Sequence, residues 1–462
     1  MSDPQPPKSD FEGSEPPVDD PDAREWNGLR MEMAPFKLEH LEDYEPSGHH
    51  PVHLGDALGD GGRYRVVHKL GSGGYATVWL CRDLKWKDTD FDCQNESKDK
   101  GSEGRDSQHS ERRRYIALKI LMADVSLDDC GELNIFKLKE QFGAELSEQH
   151  LSMPLDHFKI DGPNGLHFCF VYPVLGPRIC TIMERLEDPE RVLRNASFQI
   201  TQAMAALHSH GLCHGDLTPS NVLLQLSDLN GLDEDQVIQA LGEPILNKVR
   251  TDSGETPVAP GAPKYLVYPI DFSDVSPTLL SDTVCVIDLG VSYEISKPPK
   301  DLSIPRIYCP PEVLLTNTIG IESDIWALAC TIYRMRTGVP LFGYMDMFGE
   351  DLNEHLTTMV WILGKMPEPW WTTTWEGRKT IFKDETDSDG KVILVEPSEN
   401  CPSSIQREIS RGLYLDECRE VHRAIDIEEA KMLADLLGKM LRYNPSERIS
   451  TKEALDHEWF KM

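Results

Sequence analysis

Apolar and polar positions follow two different periods along this chain. Arg65-Val66-Val67-His68-Lys69-Leu70 reads as a strand, and Thr77-Val78-Trp79-Leu80 as its partner across a glycine-rich turn, Gly71-Ser72-Gly73-Gly74-Tyr75-Ala76. The apolar run Tyr115-Ile116-Ala117-Leu118-Lys119-Ile120-Leu121 predicts another strand. A helical pattern covers about Leu127 to Phe142, with Leu133, Phe136 and Leu138 on its apolar face. Leu151 to Gly176 holds two apolar runs split by the turn Asp161-Gly162-Pro163-Asn164-Gly165. From Ala196 the helical period takes over. Ile200, Met204 and Leu207 share a face, and Gly211 ends that helix. Further helices are expected from Asp324 to Arg336 with Gly338 as cap, up to Leu363-Gly364, from Glu428 to Leu441, and from Thr451 to Phe460.

Four stretches interrupt this pattern. Residues 1–60 are Pro-rich and carry 15 acidic against 4 basic side chains; their end, Tyr44 to Asp60, holds Pro51, Val52, Leu54 and Leu58 and is expected to pack on the domain that follows. Residues 86–114 have no apolar period and read as a solvated insertion between strands. Residues 225–283 form a second insertion, helical from Asp233 to Leu241 and Pro-rich from Thr256 to Pro263. Residues 376–400 are loop-rich. Residues 1–40 and 86–114 are expected to be mobile, because they have little to bury.

Composition narrows the partners. The 462 residues include 47 basic and 78 acidic side chains, a net charge of −31. Such a field repels nucleic acid and anionic membrane and attracts basic partners. Eleven cysteines occur without a C-x-x-C pair, which points to a reducing compartment. The N-terminus lacks an apolar signal segment, and no apolar run is long enough to span a bilayer.

Candidate chemistry centres on His214-Gly215-Asp216-Leu217-Thr218-Pro219-Ser220-Asn221, a loop that leads into the apolar run Val222 to Leu224. An acid and an amide stand five positions apart, next to a proline. Phosphoryl transfer needs such a pair: a carboxylate to accept the proton of the attacking hydroxyl, and an amide oxygen to help hold a metal ion on the phosphates. The glycine-rich turn lets backbone approach phosphate oxygens closely. It leads into a strand and not a helix, which excludes a dinucleotide fold and a P-loop. Lys119, inside an apolar strand, must find an anion; Glu132 is the preferred partner and Glu140 the alternative. Asp288-Leu289-Gly290 follows the apolar run Val284-Cys285-Val286-Ile287 and can aim a carboxylate at a metal ion. Pro310-Pro311-Glu312 and Arg448 complete the ordered set.

Taken in order, these signals resemble eukaryotic protein kinases from about Tyr64 to Phe460. The lead-in from Arg63 to Gly71, the run Thr77 to Leu80, Asp288-Leu289-Gly290 and Asp324-Ile325-Trp326-Ala327-Leu328-Ala329-Cys330 resemble the serine/arginine-rich-protein kinase family, in its fungal-type branch. The resemblance implies an α+β, two-lobed protein kinase fold. Its small β-rich N-lobe (64–172) has one main helix, the hinge lies at 173–177, and the larger C-lobe (178–460) is mainly α-helical. Residues 1–63 are then an acidic extension, mostly disordered. The resemblance implies that ATP and Mg²⁺ are used. Leu70, Gly71, Gly73, Val78, Ala117, Lys119, Glu132, Val174 and Leu223 would line the nucleotide, and Pro173 cannot donate a hinge hydrogen bond. Asp216 would be the catalytic base, with Lys119 on the phosphates and Asn221 and Asp288 on the metal. Glu312 would pair with Arg448, and Asp324 would hold the catalytic loop backbone.

The resemblance also implies substrates: serine in basic, arginine/serine-rich proteins. It further implies a role in mRNA splicing regulation and a monomer in cytoplasm and nucleus. Asp346, Glu350, Asp351 and Glu354 stand where that family docks basic peptides; Glu350 and Glu354 would share a face if helical. Three positions depart from the pattern. Ala76 replaces the third glycine. Gly215 replaces the arginine that receives an activation phosphate, so activation should not need phosphorylation. Thr218 replaces a phosphate-binding lysine. Two other functions compete: a pseudokinase scaffold, motivated by Ala76 and Thr218, and a small-molecule phosphotransferase of the aminoglycoside or choline kinase type, which shares the His-Gly-Asp-Leu-x-Pro-x-Asn loop but lacks the Pro-Pro-Glu and Arg448 pair.

Overall fold

The computed structural model describes residues 27–86, 113–142, 149–343, 351–388, 392–396, 403–415 and 422–462. Residues 1–26 and 87–112 lie outside these, and with them most of the stretches expected to be mobile.

The first half of the chain builds one antiparallel sheet. Its strand order is Ala57–Leu58, Tyr64–Gly73, Ala76–Asp83, Tyr115–Leu121, Gly165–Tyr172 and Asp156–Gly162. Tyr64–Gly73 and Ala76–Asp83 close as a hairpin with Gly73 opposite Ala76, and the pairing slips twice, between Val66 and His68 and between Lys69 and Gly71. Tyr115–Leu121 is buried along its length except at Lys119, the one polar side chain in its apolar run. The helix of this lobe spans Gly131–Phe142, four residues shorter at its start than the periodicity predicts. The reason is tertiary. A Cβ on Gly131 would lie 1.4 Å from the Gly290 carbonyl oxygen, so only glycine lets the helix end approach the Asp288-Leu289-Gly290 turn.

The second half is helical around a large apolar core. Pro189–Ser209 starts earlier than its apolar face suggests, because Asp188 caps it by accepting from the Arg191 N–H and Pro189 occupies its first turn. Ile321–Thr337 is almost wholly buried and stops at Gly338, whose φ of 79° suits only glycine well. Ile427–Met440 packs beside it and Thr451–Leu455 against Pro189–Ser209, with Trp326, Trp371 and Trp459 in the same core. Between the lobes, a three-stranded sheet orders Leu280–Val286, Val222–Leu226 and Leu175–Arg178.

One expectation needs correction. Residues 27–63 are not a disordered extension. Leu29–Met31 pairs antiparallel with Leu246–Thr251, which pairs in turn with Tyr265–Val267. Leu29, Leu41 and Tyr44 form a small core with Val249 and Leu266, and Val52 joins the core of the main sheet. The 225–283 insertion is likewise built onto the small lobe. Glu234 pairs with Arg65, and the Ile270 N–H donates to the Lys69 carbonyl at 3.0 Å. Among the described residues, no helix is long and apolar enough to cross a membrane.

Candidate active site

Five elements converge on the cleft. From the strand Tyr115–Leu121, Lys119 projects its ammonium to 2.7 Å from Glu132 Oε1 and 2.9 Å from Asp288 Oδ1. Burial alone would lower the Lys119 pKa, but the two carboxylates outweigh it and the net shift is upward. For Asp288, burial pushes the pKa up and Lys119 pulls it down; the net shift is downward and the carboxylate stays ionised. Asp288 adopts left-handed backbone, φ 62°, at the strand end, which turns its side chain out of the sheet. The Glu132 carboxylate lies over Gly290, where a Cβ would approach it to 2.9 Å. Glu132 therefore makes the partner pair expected of it. Glu140's side chain lies outside the described residues.

Asp216 precedes the short turn Pro219–Asn221, and Asn221 ends it. The Asn221 amide donates to the Asp216 carbonyl at 2.8 Å and to Asp216 Oδ2 at 3.3 Å, which leaves the amide oxygen available as an acceptor. Asp216 Oδ1 is buried without a hydrogen-bond partner. Burial raises the Asp216 pKa to about 6; Asn221 opposes the shift and the Asp288 charge adds to it. A buried acceptor with no partner is costly unless something else donates to it. An incoming hydroxyl is such a donor.

The loop is held from behind. Asp324, buried in the helix Ile321–Thr337, accepts from the His214 N–H at 2.6 Å and the Gly215 N–H at 3.0 Å. His208 Nε2 lies 3.1 Å from Asp324 Oδ2, a contact that no sequence motif signalled. His214 Nε2 lies 3.1 Å from the Ile287 carbonyl and so ties the loop to the strand that carries Asp288. Gly215 has φ 83°, and a Cβ there would sit 3.0 Å from the Val291 carbonyl. Backbone geometry thus accounts for the glycine that replaces arginine. Thr218 is buried, with its carbonyl accepting from the Asn221 N–H.

The nucleotide candidates sit on paired strands around Lys119 and in the middle sheet. Val78 is opposite Lys119, Ala117 opposite Tyr172, Gly71 opposite Val78, and Leu223 opposite Cys285. Leu70 and Val174 are half-buried against one apolar cluster. Glu312 and Arg448 form a buried two-pronged pair at 2.6 and 2.7 Å. The docking candidates are only partly placed. Asp351 accepts from the Asn353 N–H as cap of the helix Leu352–Leu363, and Glu354 is exposed in its first turn. The helix begins after Glu350, and Asp346 and Glu350 lie outside the described residues.

A strand-built lobe, a helical lobe and this set of polar groups between them define a protein kinase. The protein kinase domain family pattern matches residues 276–460. The chain is 28% identical over 437 residues to the serine/threonine-protein kinase SRPK of Physarum polycephalum, covering 91% of each. It is 26% identical to the serine/threonine-protein kinase AFC3 of Arabidopsis thaliana, over 91% of this chain and 87% of that one. It is 25% identical to the human dual specificity protein kinase CLK2, over 91% and 68%. The protein kinase domain and these relatives fit the serine/arginine-rich-protein kinase family. The Glu312–Arg448 contact is also the feature that separates this reading from a small-molecule phosphotransferase.

Proposed function

We propose that this serine/threonine kinase transfers the γ-phosphate of ATP to serine in arginine-rich protein segments, with Asp216 as the base. The observation that carries the chemistry is the orphaned, buried Asp216 Oδ1 beside Asn221, in the cleft where Lys119 meets Glu132 and Asp288. The serine hydroxyl donates to Asp216 and hands over its proton as the oxygen attacks phosphorus. Lys119, oriented by Glu132, is the cation for the nucleotide phosphates. Asn221 and Asp288 offer an amide and a carboxylate oxygen, a hard set that suits Mg²⁺, which would neutralise phosphate charge there. Asp324 keeps the loop in place without touching substrate.

The pH profile tests the base. Asp216 must be ionised to act, so kcat should fall as pH drops through about 6, well above the usual carboxylate range. The stability sign is opposite. A folded-state pKa above the unfolded one favours the native state below about 4, and that contribution is lost as pH rises through about 6. Asp216→Asn should therefore lose activity and gain stability at neutral pH.

The substrate reading rests on the family resemblance and on the charge of −31. Guanidinium binds carboxylate through two parallel hydrogen bonds that lysine cannot reproduce. An Arg-Ser repeat peptide should be a better substrate than a Lys-Ser repeat of equal charge. Glu354→Lys should raise KM for the arginine peptide most at low salt, where screening is weakest. Equal KM values for the two peptides would retire the arginine preference and leave the catalytic assignment standing. From the same resemblance, we place the protein in cytoplasm and nucleus as a monomer, which imaging of a tagged chain and light scattering would check.

A further inference from the structure

Lys69 stands one residue before Leu70 and Gly71, where the first strand turns into the glycine-rich hairpin, and its side chain has no exposure at all. Its ammonium pairs with Glu39, whose carboxylate is equally hidden and also accepts from the Tyr44 hydroxyl at 2.7 Å. The ammonium lies 5.5 Å from the ring centre of Trp79, which is opposite Lys69 in the hairpin. A lone buried ammonium would be costly, so Lys69 can occupy this position only because residues 37–46 bring a carboxylate to it. Lys69 also lies at the second slip in the pairing of the hairpin, and its carbonyl is held by the Ile270 N–H of the insertion. Two segments that are remote in sequence thus seize the same residue, at the base of the glycine-rich turn.

We infer that Glu39 is a positioning residue for the nucleotide: through Lys69 it sets the height of the glycine-rich hairpin over the cleft. This rests on the reading of the cleft as an ATP site. Glu39 touches neither nucleotide nor substrate. It fixes a strand that slips in register on both sides of Lys69 and would otherwise choose among pairings. Breaking the pair strands an ammonium against the hairpin, on the face that carries Trp79, and the strand must shift to let that charge reach water. Leu70, Gly71 and Gly73 shift with it. A carboxylate on the N-terminal segment therefore controls nucleotide affinity, while Asp216 and its proton chemistry stay in place.

The test compares the full-length chain with Glu39→Gln, Tyr44→Phe and the charge-free pair E39L/K69M, each assayed well below its melting temperature. The readouts are Kd for Mg·ATP by calorimetry, KM for ATP, and kcat. Glu39→Gln should weaken ATP binding and raise its KM by about tenfold or more, with kcat within about threefold of wild type. Tyr44→Phe, which only removes one hydrogen bond from the carboxylate, should raise both by about threefold. E39L/K69M leaves no stranded charge and should return Kd toward the wild-type value. A purely structural role would lower the melting temperature and leave Kd and KM unmoved; that result in the folded Glu39→Gln and Tyr44→Phe chains overturns the inference. Should Glu39→Gln not fold, Tyr44→Phe decides alone. A wild-type chain that binds no ATP would overturn the site reading itself, together with this inference. Normal wild-type binding with unmoved variants overturns only the role of Glu39.

Discussion

Replacing Asp216 with asparagine should lower kcat by about 10²–10⁴ while moving Kd for ATP by less than about threefold. Asparagine keeps the shape of the side chain and can still accept a hydrogen bond from Asn221, so the loop should hold. What it lacks is the ability to take the proton. The nucleotide contacts, Lys119 with Glu132 and Asp288, involve no atom of Asp216. A structural collapse of the loop would raise Kd as well, so calorimetry and steady-state rates on the same preparation separate the two causes. The acid limb near pH 6 should disappear from whatever residual activity the variant keeps, since the group that produces it is gone.

The second large effect is on stability. Glu312 and Arg448 come from positions 136 residues apart and form two parallel charge-assisted hydrogen bonds in the interior. Arg448 also donates to the Glu322 carbonyl and stacks 4.9 Å from the ring centre of Trp326. Glu312→Gln leaves a guanidinium buried without its counter-charge and should cost about 3–5 kcal/mol of unfolding free energy. The double change E312L/R448M should cost less than either single change, because it leaves no stranded charge. Urea denaturation of wild type, E312L, R448M and the double variant checks this. A double variant less stable than both singles would mean that the pair is favourable beyond its desolvation.

Much of the site could be read in the sequence because the chemistry restricts it. Phosphoryl transfer admits few side chains at Lys119, Asp216, Asn221 and Asp288, and each stands beside a short apolar run that marks its element. Glu132 was legible as the acid beside the apolar face of Leu133, Phe136 and Leu138. The start of that helix was not, because it is set by the approach of Gly131 to the Gly290 carbonyl, far away in sequence. The N-terminal segment was misread for the same kind of reason. Its first apolar residues, Leu29, Leu41 and Tyr44, follow no period, and its strand finds a partner at Leu246–Thr251 more than two hundred residues later, whereas Val52 and Leu54 pack on the main sheet as expected. A Pro-rich acidic stretch with irregular anchors has the composition of disorder. Here Glu39 is buried on Lys69, and the insertion supplies the strand that completes its sheet.

The measurement that tests the central claim most directly is phosphoryl transfer itself. The purified wild-type chain is mixed with γ-labelled ATP, Mg²⁺ and an Arg-Ser repeat peptide, and the label on the peptide is followed alongside Asp216→Asn. The geometry of Lys119, Asp216, Asn221 and Asp288 predicts label on serine with wild type and a loss of about 10²–10⁴ in rate with the variant. A wild-type chain that binds ATP yet labels no peptide, basic or otherwise, above the rate of Asp216→Asn would contradict it and leave a scaffold in place of an enzyme.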